Sequence, residues 1–331
     1  MTDPTASPVL VLLDHATDGA LRPPVRELLT LARELAGPAG VHGAWLDAAE
    51  LPVGTLDEIA AYGVGAVHCV TTDADLRLAS VRARALAVLL DRTGAGLLLV
   101  VSSFENKETV APLAVATGAG VITDADGLTR EDGRYVASKT VLAGTWRTRA
   151  VVTAPLAVVA VKANTVVAAP AARRTTPAVD EVPVVADDVV AGVTVVEHTS
   201  RPDSGRPDLA SAAVVVAGGR GTEGDFGPVE ELADALGAAV GATRVVTDQG
   251  WRGHDQMIGQ TGVTIAPRLY IGAGVSGAVH HRGGMQASGT IVAVNSDPDA
   301  PIFEIADFGV VGDLFQVLPQ AAAELRRRRS R

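Results

Sequence analysis

Short apolar runs alternate along the chain with segments whose apolar residues recur at helical spacing. VLVLLDH at 9–15, VHGAWLD at 41–47, AVHCVTT at 66–72 and LLLVVSS at 97–103 read as buried strands. VRELLTLARELAG at 25–37, LDEIAAYG at 56–63 and SVRARALAVLLDRTG at 80–94 read as helices that stop at glycine. Strands connected through helices lie parallel, with the helices on the faces of the sheet. ENKETVAPLAVATGAG continues the series as a helix beginning near Lys107. VITDADGLTREDGRYVASKTVLAGTW at 121–146 then changes character to short strands joined by Asp/Gly turns, with some antiparallel pairing, and APLAVVAVKAN returns to a buried strand. Between Thr165 and Arg206 no helical period survives; VTVVEH at 193–198 alternates, which predicts a connecting strand within a linker and a domain boundary near 198–208.

AAVVVAGG at 212–219 opens a second series. PVEELADALGAAVG supplies a helix, RVVT, LYIGAG and TIVAV supply short strands, and helices are expected at 277–286 and 312–325. The predicted fold class is α/β in two domains, 1–200 and 208–325, each a largely parallel sheet flanked by helices, followed by a basic tail at 326–331.

Composition supports that picture: 47% of residues are hydrophobic but only 3% aromatic, so the cores rest on Ala, Val and Gly, as suits parallel sheets. The net charge of −10, with no internal basic stripe, argues against a nucleic-acid partner. A single cysteine, Cys69, excludes an internal disulfide and any cysteine-based metal site. No apolar stretch is long and unbroken enough to span a bilayer, since even LAVLLDRTGAGLLLVV is interrupted by Asp91 and Arg92. The N-terminal MTDPTASPVLVLLDH has neither the basic start of a signal peptide nor an arginine-rich transit character, so the expected compartment is the cytoplasm.

Candidate chemistry concentrates between Arg244 and Asp313. GGRG at 218–221 follows a strand, where glycines let backbone amides approach a phosphate and Arg220 adds a charge; a tight turn needs the same glycines. In GAGVSGAVHH at 272–281, Gly272, Gly274 and Gly277 keep the GxGxxG spacing, and Ser276 and Gly277 fall in the first turn of the expected helix; a packing turn with a serine cap is the alternative. His280 and His281 are neighbours and point about 100° apart on a helix, so they cannot share a metal. His281 is a donor to a polar ligand, a surface residue or the holder of an internal bond. Arg244, Gln260 and Thr261 offer a cation, an amide and a hydroxyl suited to a flavin ring, or else a surface arginine and a capping threonine. Asn295, Asp297 and Asp313 suit a ribose or adenine, or serve as turn and cap residues.

In this order GGRG, TRVVTD, IGQTG, PRLYIGAGVSGAVHH, GGM and TIVAVNSDPDAPIFEIADFGVVGDLF closely resemble the C-terminal FAD domain of the electron transfer flavoprotein alpha subunit, over about residues 212–320. VLVLLDH, RELLTLARELAG and ATGAGVITDADGL resemble the same family more loosely. The resemblance implies a Rossmann-like FAD-binding C-terminal domain and an electron carrier without a substrate reaction of its own. It implies a heterodimer with a beta subunit that binds AMP or a second FAD, the second case allowing electron bifurcation from NADH. It also implies donors among flavin dehydrogenases such as acyl-CoA dehydrogenases, hence fatty-acid beta-oxidation, a membrane quinone reductase as acceptor, and an anionic semiquinone stabilised beside Arg244 and His281. Residue by residue, it places Arg220 at the pyrophosphate, Thr243 beside the flavin, and Arg244 over the isoalloxazine ring. Gly259, Gln260 and Thr261 come to the N5 and C4 edge. Ser276, Gly277, Ala278, Val279, His280 and His281 form the turn under the phosphates, with His281 near the C2 carbonyl, and Asn295, Asp313 and Leu314 stand at the adenosine. The chain departs from the family pattern at His280, Met257 and Ser296. Two other readings compete: a non-redox nucleotide-binding regulator on the same scaffold, and an NAD-dependent dehydrogenase, which lacks an obvious acid-base pair.

Overall fold

The computed structural model describes residues 7–47, 50–142, 144–186, 192–197, 199 and 205–329. The chain divides into two compact units, one of Met1–Lys139 with Thr148–Ser200 and one of Thr140–Arg147 with Arg201–Arg331.

The first series runs β1 (Val9–Leu12), α1 (Pro23–Ala36), β2 (Val41–Trp45), α2 (Val53–Ala61), β3 (Ala66–Thr71), α3 (Ala79–Thr93), β4 (Leu97–Val101) and α4 (Phe104–Thr117). It continues through β5 (Gly120–Ala125), β6 (Gly127–Glu131), β7 (Arg134–Val141), β8 (Trp146–Val151), β9 (Ala157–Val161) and β10 (Ala178–Pro183). Seven strands form one parallel sheet in the order β10-β3-β2-β1-β4-β9-β5, and β6, β7 and β8 form a separate three-stranded sheet in which β6 and β7 are antiparallel. Central strands β1 and β9 are buried at every position, the cost-free arrangement for uninterrupted Val and Leu runs covered by helices on both faces. Helix α4 starts at Phe104, earlier than its apolar period suggests, because the Ser103 side chain accepts the Asn106 amide at 3.1 Å and caps it.

The second series is β11 (Val214–Gly218), α5 (Gly227–Leu236), β12 (Ala239–Ala242), α6 (Arg244–Asp248), β13 (Leu269–Ala273), α7 (Val279–Met285), β14 (Thr290–Asn295), β15 (Phe308–Val311) and α8 (Leu314–Arg329). Its five strands are parallel in the order β12-β11-β13-β14-β15. Apolar clusters fill both faces: Val216, Val240 and Ile271 with α5 and α8 on one, and Val215, Ala239, Tyr270 and Met285 on the other.

Several elements differ from the sequence expectation. RVVT is helix α6 rather than a strand; the strand lies just before it at AVGA, released from α5 by Gly237 in the left-handed region at φ 66°. VTVVEH is not a strand over its described residues 193–197, and His198 and Ser200–Ser204 of the expected boundary lie outside the described residues. The edge strand is β10, which finds a partner in β3, whereas alternation alone supplies none. Helix α7 begins at Val279, so Ser276 and Gly277 precede it rather than occupying its first turn. The arginines from 326 to 329 form the last turn of α8 instead of a free tail: Glu324 pairs with Arg327 and Arg328, Glu231 pairs with Arg326, and cations suit a helix C-terminus.

Candidate functional site

The second sheet reverses direction at β11: the chain moves outward to β12 and then crosses to β13 on the other side. The chain leaves the carboxyl ends of β11 and β13 toward helices on opposite faces of the sheet, α5 and α7, and such a switch point is where parallel α/β sheets take their ligands. Arg220 follows β11, Thr243 and Arg244 follow β12, Ser276 follows β13, Asn295 ends β14 and Asp313 follows β15. One edge of one sheet therefore carries residues from all five strand ends. With strands about 4.8 Å apart, the outer two stand roughly 19 Å from one another, enough for an extended dinucleotide.

Backbone contacts fix the loops at this edge. The Gly219 amide donates to the Ala273 carbonyl at 2.9 Å and the Gly221 amide to Gly274 at 3.1 Å. A Cβ at Gly219 would lie 2.2 Å from the Gly274 oxygen, so the two loops meet only because both are glycine. Gly277, at φ 83°, turns the chain under Ile302, and the Ile302 amide donates to the Ser276 carbonyl at 3.0 Å. The Arg282 Nε donates to the Gly277 carbonyl at 2.6 Å while its Nη2 pairs with Glu304 at 2.9 Å. Arg282 thus holds the turn, a role that no sequence motif signals.

Several side chains on the edge keep their polar atoms unspent. Arg220 is exposed and has no ion-pair partner among the described residues. The hydroxyls of Thr243, Thr261 and Ser276 make no side-chain hydrogen bond there, and Thr243 leaves its hydroxyl free although it stands at the N-cap of α6. Arg244 is exposed, and among the described residues its one ion pair is with Asp248, at 3.4 Å. Gln260 and His280 meet through Oε1 and Nδ1 at 2.9 Å, and the Gln260 amide donates to the His280 carbonyl at 3.0 Å, which ties the 258–262 loop to α7. Ala278 and Val279 are exposed beside them, and Gly259 is buried beneath.

Other expected site residues are committed to the protein itself. Asp313 accepts the Phe315 amide at 2.9 Å and caps α8, and the Leu314 side chain lies in the core. Asn295 donates to the Val275 carbonyl at 2.9 Å and accepts the Asp297 amide at 3.0 Å, so its side chain anchors the turn after β13. Met257 is buried and Ser296 exposed.

His281 departs furthest from expectation. It is 5% exposed, its Nδ1 lies 3.1 Å from the Ile258 carbonyl, and its Nε2 lies 2.7 Å from the Tyr270 hydroxyl. Burial pushes its pKa down to about 4, the bond to the Ile258 carbonyl opposing that only in part. The ring is therefore neutral at pH 7 and both nitrogens are engaged inside the protein, so in this structure His281 offers neither a cation nor a free donor to a ligand. The exposed imidazole is that of His280.

The corresponding edge of the first sheet is closed by its own side chains. Asn106 Nδ2 donates to Asp14 at 2.6 Å, and Arg82 reaches the Asn106 Oδ1 at 3.2 Å. Burial pushes the Asp14 carboxyl up, against the opposing effect of Arg82. Among the described residues no group of three His, Cys, Asp or Glu could hold a metal, and no helix is long and apolar enough to cross a membrane.

The donor set on the open edge, two guanidinium groups with three hydroxyls and a Gln–His pair, fits a group carrying a pyrophosphate at one end and a polar heteroaromatic ring at the other. Comparison with known proteins points the same way. Residues 208–286 match the electron transfer flavoprotein FAD-binding domain and residues 9–187 the electron transfer flavoprotein domain. The chain is 40% identical to the electron transfer flavoprotein subunit alpha of Mycobacterium leprae, over 97% of this chain and 98% of that one. It is 31% identical to that of Bacillus subtilis, over 96% and 97%. With the mitochondrial subunit alpha of Dictyostelium discoideum it shares 50% identity over 40% of this chain and 38% of the other. Two family domains in sequence and end-to-end relatives in two bacteria establish that this chain belongs to the electron transfer flavoprotein alpha subunit family.

Proposed function

We propose that the chain binds FAD along the carboxyl edge of its second sheet and serves, with a beta subunit, as an electron carrier between flavin dehydrogenases and a quinone reductase. The observation that carries this reading is the row of unspent polar groups, Arg220, Thr243 and Ser276, on the three adjacent strand ends of β12, β11 and β13, in a chain of this family. Arg220, with Ser276 and the amides beside Gly277, would hold the pyrophosphate; charge-assisted hydrogen bonds make such contacts strong. Arg244, Thr243, Gln260 and Thr261 would face the isoalloxazine ring. A guanidinium near the ring stabilises negative charge as electrons arrive, and the Thr261 hydroxyl donates toward its edge. Bound FAD would supply one-electron and two-electron chemistry, and the protein supplies binding, orientation and this electrostatic bias. Asp313 and Leu314 border the adenosine end through packing and backbone, since the Asp313 carboxylate already caps α8.

Purification of the full chain co-expressed with its beta partner tests the proposal. The expected result is a flavin absorption spectrum, FAD released on denaturation, and reduction by dithionite in resolved one-electron steps. A colourless preparation that gains no FAD would overturn it and leave a non-redox nucleotide-binding scaffold in its place.

A further inference from the structure

Gly272 is the first glycine of the GxGxxG spacing, yet its position in β13 gives it a different task. It lies two residues from Tyr270 on the same face of the strand, and a Cβ there would stand 2.9 Å from a Tyr270 ring carbon and 3.1 Å from its hydroxyl oxygen. The missing side chain is a slot, and the Tyr270 ring lies in it, fully buried. From that slot the hydroxyl reaches His281 Nε2 at 2.7 Å.

The hydrogen-bond inventory then fixes the proton positions. The Ile258 carbonyl can only accept, so Nδ1 of His281 carries the hydrogen; in the neutral ring Nε2 is left as an acceptor, and the Tyr270 hydroxyl must donate. Tyr270 retains that proton because burial raises its phenol far above the ordinary range. The chain Tyr270–His281–Ile258 runs from β13 through α7 to the loop that carries Gly259, Gln260 and Thr261. Two further bonds brace that loop against α7, from the Gln260 amide to the His280 carbonyl and from the Ile265 amide to the Gly284 carbonyl, at 3.0 and 2.8 Å.

We propose that Tyr270, seated in the slot left by Gly272, is a positioning residue that locks His281 in its Nδ1-protonated form and thereby sets the Ile258–Thr261 loop at the cofactor edge. The inference rests on the FAD reading for the last clause alone, since the lock itself belongs to the chain with or without a cofactor. Tyr270 and Gly272 are both buried and act through His281.

The test uses the full chain with 15N-labelled histidine, and the same variants co-expressed with the beta subunit. In the wild type, the ring whose signal disappears in His281→Gln is expected to show a protonated Nδ1 and an unprotonated Nε2. Tyr270→Phe, which keeps the ring but removes the hydroxyl, is expected to retain its circular dichroism, lose that signature and bind FAD about tenfold more weakly. Gly272→Ala, which fills the slot, is expected to reproduce both changes with the tyrosine still present. An Nε2-protonated His281 in the wild type overturns the lock. A Tyr270→Phe chain that binds FAD within twofold of wild type overturns the positioning role. A wild-type chain that binds no FAD sinks the functional reading, while the imidazole signals still decide the lock.

Discussion

At pH 7 the ring of His281 carries no charge, because burial holds its pKa at about 4 against an ordinary 6.5. The linkage follows from the sign of that shift. Between pH 6.5 and 4 the unfolded chain binds a proton at this residue and the folded chain does not, so stability is fully present above 6.5 and declines as pH falls. The loss approaches roughly 1.4 kcal/mol per pH unit and totals about 3 kcal/mol by pH 4. His42 and His15 are lowered by burial too and add to the same acid slope. Urea unfolding at pH 7 and pH 5 should show the wild type weakening with acid, and His281→Gln should be less stable at pH 7 but lose less on acidification. An unchanged slope in the variant would place the titration elsewhere. At this scale the sequence pointed to residues that the structure gathers at the strand ends of one sheet, while their states were hidden. Neighbouring histidines look alike in a string, yet one is hydrogen-bonded by Tyr270 beneath the loop and the other lies exposed against Gln260. Arg282 was invisible because its partner is a backbone carbonyl five residues away, at Gly277.

Elements were legible where a single period ran long enough. α1, α3 and α5 carry their apolar faces openly and stop at glycines, and β1, β4 and β9 are unbroken apolar runs. β12 was lost because its four residues continue the small apolar composition of α5 without a change of pattern. β15 carries an exposed Phe308 and Val311 on a sheet edge, against the inward alternation a strand is expected to show. The turn between β13 and α7 allows a sharper test. Gly277 and Gly237 both have positive φ, at 83° and 66°, but a Cβ at Gly277 would lie 2.5 Å from the Ile302 amide nitrogen, whereas at Gly237 nothing lies within 4 Å. Gly237→Ala should cost only the left-handed backbone penalty, about 1–2 kcal/mol. Gly277→Ala must add displacement of the Ile302 backbone, so its thermal midpoint should fall further and its FAD occupancy should drop while that of Gly237→Ala is kept. Equal losses in the two variants would show that Ile302 yields readily.

On the scale of the whole molecule, two parallel sheets of the same class end differently at their ligand-binding edges. In the first, Asp14, Asn106 and Arg82 bond to one another, and the second leaves the Arg220 guanidinium and the Thr243 and Ser276 hydroxyls without side-chain partners among the described residues on three adjacent strand ends. A ligand that spans such an edge should be divisible into parts that report on different strands. Arg220 follows β11 at the proposed pyrophosphate, and Arg244 follows β12 at the proposed ring. Calorimetric titration of the flavin-free chain with FAD, ADP and riboflavin should separate them. Arg220→Ala is expected to weaken FAD and ADP by roughly 1.5–3 kcal/mol, the cost of one charge-assisted hydrogen bond, and to leave riboflavin unaffected. Arg244→Ala is expected to weaken FAD and riboflavin and to spare ADP. Loss of all three ligands in either variant would mean that the edge acts as one rigid surface rather than as separate strand ends. The reversed pattern, with ADP sensitive to Arg244, would mean that the dinucleotide lies across the sheet in the opposite direction.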